Sequence, residues 1–168
     1  MEGFAAIAER VARVDAALRP VAEEPVDITD PDWAEKMRQR PSAMDEAGVR
    51  AEAETVLRAV LTAYADGDDE LRVWLRALFA RCTAFRWGTH LPVETTPEGF
   101  RLRLLHLSVV DHGDDTRDEI LTLRDVCADA DRAGIDIGPL LRQVAELSSP
   151  VDKYGMGSTR DILLRAAR

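Results

Sequence analysis

Apolar residues recur along this chain at intervals of three and four, the repeat of an amphipathic helix, and strict alternation is nearly absent. Phe4, Ile7, Ala8, Val11, Val14 and Leu18 form one stripe, and Pro20 is expected to end the helix that carries it. From residue 20 to 42 the pattern lapses into a polar, proline-marked connector. Within it Asp30 and Pro31 have the cap and first-turn chemistry of a short helix, which Trp33 and Met37 would anchor to the main body and Pro41 would close.

Two strong stripes follow. Val49, Ala53, Val56, Leu57, Val60, Leu61 and Tyr64 predict one helix, and Asp-Gly-Asp-Asp-Glu interrupts it. Leu71, Trp74, Leu75, Leu78, Phe79, Cys82 and Phe85 predict a second, unbroken helix that ends near Gly88. So short a connection makes the two an antiparallel hairpin.

The stretch from Glu98 to Asp111 is ambiguous. Phe100, Leu102 and Leu104 alternate as in a strand, but the phase slips at Leu104–Leu105, which one strand face does not tolerate. Thr96, Pro97 and Glu98 supply a hydroxyl cap, a first-turn proline and a first-turn acid. The better reading is a helix from Pro97 to Asp111, apolar nearly all round and therefore central; a β-hairpin insert is the alternative. Beyond it a helix from Arg117 to Ala133 is expected to turn Ile120, Leu123, Cys127 and Ala130 inward and to stop at Gly134. Asp136 caps the next, which carries Leu140, Leu141, Val144 and Leu147. A last helix holds Ile162, Leu163 and Ala166.

The architecture expected is all-α: one domain over residues 1–168, with about six to eight helices. Three successive antiparallel pairs follow an N-terminal helix, as a bundle or a short solenoid-like stack.

Composition narrows the function. The chain has 168 residues, an apolar fraction of 46% and only 5% aromatics, so leucine, valine and alanine must build the core. The net charge of −9 makes nucleic acid and anionic membrane surfaces poor partners. No apolar run approaches the ~20 residues of a membrane span, and the amino terminus lacks the features of a signal peptide. Arginine far outnumbers lysine and asparagine is missing, which suggests a GC-rich bacterial genome. Cys82 and Cys127 sit within helical patterns, as buried thiols of a cytoplasmic protein would.

Candidate chemistry is sparse. Gly155, Gly157, Ser158, Thr159 and Arg160 precede an apolar helix and could receive an anion at its amino end. They lack the lysine and the upstream strand of a P-loop. Ser158 and Asp161 have the spacing of a capping box, worth about 1 kcal/mol, and the cap is the stronger reading, with Tyr154 and Met156 packing the loop against the body. His90, His106 and His112 show no metal-ligand spacing, and helical rise places His90 and His112 toward opposite ends of the 97–111 helix. From Asp111 to Asp136 there are nine acids against three arginines. Asp111, His112 and Asp115 are the residues a metal-dependent hydrolase would use. Asp114, Asp118, Asp125 and Asp129 would present an acidic face to a partner with a basic face. Trp87, off the stripe of its helix, would be an exposed anchor, with Trp33 a second.

The expectation is a non-catalytic protein that binds another protein as adaptor, regulator or neutralising partner. It needs no cofactor, and its chemical side chains are scattered rather than gathered. A metal-dependent hydrolase and an anionic-ligand binder are the alternatives.

Overall fold

A computed structural model describes residues 3–22, 29–32, 49–110, 116–153 and 155–168. Among these residues there are eight α-helices and no strand: α1 (Phe4–Ala22), α2 (Arg50–Asp66), α3 (Asp69–Arg81), α4 (Thr83–Gly88), α5 (Pro97–Val110), α6 (Thr116–Ala133), α7 (Gly138–Leu147) and α8 (Thr159–Ala166). At the connector, Asp30 accepts the amide of Asp32 (2.9 Å) and starts a turn. The short helix expected there, with Trp33 and Met37, falls outside the described residues.

The stripes read from the sequence are, for the most part, the buried faces. Ile7, Val11, Val14 and Leu18 of α1 and Ala53, Val56, Leu57, Val60, Leu61 and Tyr64 of α2 are buried in one apolar cluster that draws on all eight helices. α1 continues through Pro20 to Ala22. A proline in the last turn forfeits one backbone bond, and a helix can absorb that where it is about to stop.

α2 and α3 reverse direction over Gly67 and Asp68. A Cβ at Gly67 would stand 2.7 Å from the carbonyl of Ala63, so only glycine lets the chain turn this closely. Asp68 then caps α3 by accepting the amide of Leu71 (2.8 Å).

The single helix expected from Leu71 to Gly88 is two. The break falls at Cys82, whose φ and ψ of −97° and 71° are not helical. The cause is a residue on another helix. The carboxylate of Asp15, 1% exposed on α1, accepts the amide of Phe85 (2.9 Å). It takes the place of a carbonyl one turn back and caps α4 from outside. Trp74 does not share the buried stripe: it is 53% exposed and rests beside Phe4.

α5 is helical from Pro97, which removes the hairpin alternative. Thr96 caps it, its hydroxyl accepting the amide of Gly99 (3.0 Å). Eight of its residues are buried, because α2, α3, α6 and α7 all pack against it. The helices are therefore wrapped around α5 rather than stacked in a row.

α6 ends as expected. Gly134, at a φ of 67°, lets the amide of Ile135 reach back to the carbonyl of Ala130 (3.0 Å). Its inward face differs from the expected one, however. Glu119, Leu123, Val126 and Ala130 point in, while Ile120 is 48% exposed and Cys127 lies part-way. The reason is again tertiary. Glu119 is completely buried, its Oε2 accepting from Lys153 Nζ (3.0 Å) and its Oε1 from the Thr159 hydroxyl (2.6 Å). That pairing turns the helix about its axis.

Candidate functional site

The loop before α8 is a cap. Ser158 accepts the amide of Asp161 (3.1 Å), and the Asp161 carboxylate accepts both the amide (3.0 Å) and the hydroxyl (2.8 Å) of Ser158. These bonds hold the Asp161 carboxyl below its ordinary value. Upstream, the carboxylate of Asp152 accepts the amides of Gly155 (3.0 Å) and Gly157 (2.7 Å). Both glycines have positive φ, 79° and 98°, as this tight course requires. Thr159 is turned to Glu119, and Arg160 donates to the carbonyls of Ala145 (3.1 Å) and Glu146 (3.2 Å) at the end of α7. The polar groups that a free anion would need are thus engaged inside the protein, and two carboxylates stand where it would sit. Met156 is half-exposed rather than packed against the body, and Tyr154 is outside the described residues.

Of the acidic segment, Asp111, His112, Asp114 and Asp115 lie outside the described residues, as does the Asp118 side chain. Asp125 is exposed on α6. Asp129 is paired with arginines: it takes Arg103 Nη1 (2.7 Å) and Arg132 Nη2 (2.6 Å). Among the described residues no three His, Cys, Asp or Glu side chains come together as metal ligands. The thiols of Cys82 and Cys127 are both free, and burial pushes both above the ordinary cysteine value.

What the fold does gather lies elsewhere. A cleft of about 380 Å³ opens between α4, α5 and α6. Its floor is apolar: Leu107 and Val110 from α5, and Val126 from α6. Above the floor stand Arg86 and Trp87 from α4, His90 from the following loop, and Arg103 and His106 from α5. Trp87 is 53% exposed, as its position off the stripe implies, with the Arg86 guanidinium stacked 4.6 Å from its ring centre. The imidazoles of His90 and His106 come within 6.3 Å of each other, and His106 packs edge-on to Phe79.

The expectation of scattered chemistry is therefore corrected. The separation expected from helical rise was that of His90 from His112, which lies outside the described residues; His90 and His106 meet because the loop from Thr89 to Thr96 folds back along α5. His90 ends the turn by donating from Nε2 to the carbonyl of Trp87 (3.1 Å). Glu94 then pairs with Arg58 on α2 (3.0 Å) and lies so close to Gly99 that a Cβ there would come within 2.4 Å of the Glu94 carbonyl oxygen. One signal of the cleft is present in the sequence. Arg103, His106, Leu107 and Val110 are spaced by three, four and seven, which puts an arginine, a histidine and two apolar residues on one face of α5.

The fold is all-helical, and its described residues form a groove lined by Arg86, Trp87, His90, Arg103 and His106 over an apolar floor. Comparison of the chain with protein-family models, with curated proteins and with solved structures gives no match.

Proposed function

We propose that the protein acts by binding another protein, without catalysing a reaction, and that the cleft between α4, α5 and α6 is its point of contact. The observation that carries this reading is the half-exposed Trp87, stacked with Arg86 at the edge of an apolar floor. Tryptophan and arginine are the side chains that most often dominate the energy of protein interfaces, above all where a pocket lets them exclude water. At about 380 Å³ the cleft suits one or two side chains of a partner. The walls are held by α4 and α5, each anchored in the core by buried phenylalanines (Phe85 and Phe100), so the site is preformed.

The test is affinity capture from the native host with three baits: wild type, Trp87→Ala and Trp74→Ala. Trp74 is as exposed as Trp87, at 53%, but lies outside the cleft. The expected result is a partner retained by wild type and Trp74→Ala and lost from Trp87→Ala. Equal retention by all three refutes the cleft as the contact.

A further inference from the structure

We infer that α3 is a dimer interface: its outward face receives the same face of a second copy of this chain, the two helices running antiparallel about a two-fold axis. This surface is separate from the cleft between α4, α5 and α6, none of whose described lining residues belongs to α3.

An amphipathic surface helix turns polar residues to solvent. α3 does so only at its ends. Leu75 and Phe79 are buried, and spacings of three and four place Glu70, Val73, Trp74, Ala77, Ala80 and Arg81 on the opposite face, where all six are exposed. Between Glu70 and Arg81 that face carries only valine, tryptophan and alanine, and both Val73 and Trp74 are more than half exposed. The partly buried ring of Phe4, centred 6.2 Å from that of Trp74, extends the apolar patch to the start of α1.

The pattern along this face is self-complementary. α3 begins acidic, at Asp68, Asp69 and Glu70, and ends basic, at Arg81. Asp69 is engaged by Arg72 of its own helix (2.8 Å), and Glu70 takes Trp74 Nε1 on one oxygen (3.5 Å) and keeps the other. In an isologous pair, residue i of one copy meets residue j of the other, and j meets i. Positions 70 and 81 are equidistant from a point between Leu75 and Arg76, and so are positions 74 and 77. One antiparallel arrangement therefore sets Glu70 opposite Arg81 of the other copy at both ends. The same arrangement lays each Trp74 ring over the small side chain of Ala77 across the axis. A parallel arrangement would bring like charges together. A partner segment of one charge would be attracted at one end of this face and repelled at the other, whereas a reversed copy of α3 matches both. The central tryptophans supply the affinity, and the charges at the rim fix the orientation.

Sedimentation velocity of the full chain over about 1–300 μM reads the equilibrium between monomer and dimer. Wild type should form a dimer. Trp74→Ala should raise the dissociation constant about tenfold or more. Trp87→Ala, as exposed but in the cleft, should pair as wild type does. Glu70→Arg and Arg81→Glu should each associate with themselves about tenfold or more weakly than wild type, because each sets like charges opposite one another at both ends. Mixed in equal amounts, these two variants should pair with each other more tightly than either pairs with itself, since both ends are then matched. Melts followed by circular dichroism verify that each variant is folded, and the comparison of Trp74→Ala with Trp87→Ala decides alone if a charge variant proves unstable. A monomer throughout the range, a larger open assembly, a dimer that Trp74→Ala leaves unchanged, or a mixture no tighter than its components overturns the inference. So does pairing lost with Trp87→Ala and kept with Trp74→Ala, which would seat the second copy at the cleft. Each copy has its own cleft, so capture of the partner by Trp74→Ala is expected with or without pairing, and a monomeric chain leaves the docking reading standing.

Discussion

Replacing Glu119 with leucine should be the most damaging single polar-to-apolar change in the helical core. The Glu119 side chain has no solvent exposure, and its partners Lys153 and Thr159 are 7% and 0% exposed. Its two oxygens take the Lys153 ammonium at 3.0 Å and the Thr159 hydroxyl at 2.6 Å. The leucine would fit the apolar face formed by Leu123, Val126 and Ala130, and burying it instead of a charge would by itself stabilise α6. That gain is outweighed, because the change leaves a buried ammonium without the carboxylate that neutralises it. Removing one member of such a pair costs about 3–5 kcal/mol, whereas replacing both members with apolar residues of similar size is often neutral or stabilising. Against a total stability of about 5–15 kcal/mol this is a large fraction. For a chain of this length each kcal/mol moves the melting temperature by roughly 2–4 °C. Glu119→Leu should therefore melt about 6–20 °C below wild type, and Glu119→Leu with Lys153→Met should recover most of the loss. Thermal unfolding followed by circular dichroism measures both. A single variant within about 2 °C of wild type, or a double variant no better than the single, refutes the reasoning. The first result would mean that the pair is solvated; the second, that packing and not charge sets the cost.

Two further predictions concern caps. Asp15→Ala removes the buried acceptor of the Phe85 amide and leaves that donor without its partner at the α3–α4 break. The expected loss is about 1–3 kcal/mol, read as a lower thermal midpoint, and Asp15→Asn, which keeps an acceptor oxygen, should lose less; an alanine variant as stable as wild type would show that the break does not depend on Asp15. Asp161 accepts from the Ser158 amide and hydroxyl, which lower its pKa from the ordinary 3.8. A group lowered in the folded state stabilises above its unfolded pKa and loses that contribution as pH falls through its folded one. The gap in melting temperature between wild type and Asp161→Ala should thus be full near neutrality and close progressively below about pH 3.8; a gap that is the same at pH 7 and pH 2.5 would contradict it.

How far the sequence reaches is clearest where it fails. The stripes of α1 and α2, the box at Ser158 and Asp161, the stop at Gly134 and the central place of α5 were all legible. The site was not, apart from the exposure of Trp87. Asp129, read as part of an acidic face, also pairs with Arg103, an arginine that lines the cleft. His90 and His106, which no ligand spacing joined, share that cleft because a loop doubles back.

The sequence by itself determined the features that depend on neighbours within a turn or two. A 3.6-residue repeat, a hydroxyl three residues before a carboxylate and a glycine after an apolar run act over a few ångströms of one chain segment. Tertiary structure alone decided the break at Cys82, the rotation of α6 and the assembly of the cleft. Each depends on groups far apart in the chain, Asp15 with Phe85, Glu119 with Lys153, His90 with His106, whose meeting is set by how the helices pack around α5. Local periodicity carries no record of such distances, because the free energy that fixes them comes from burial shared among helices.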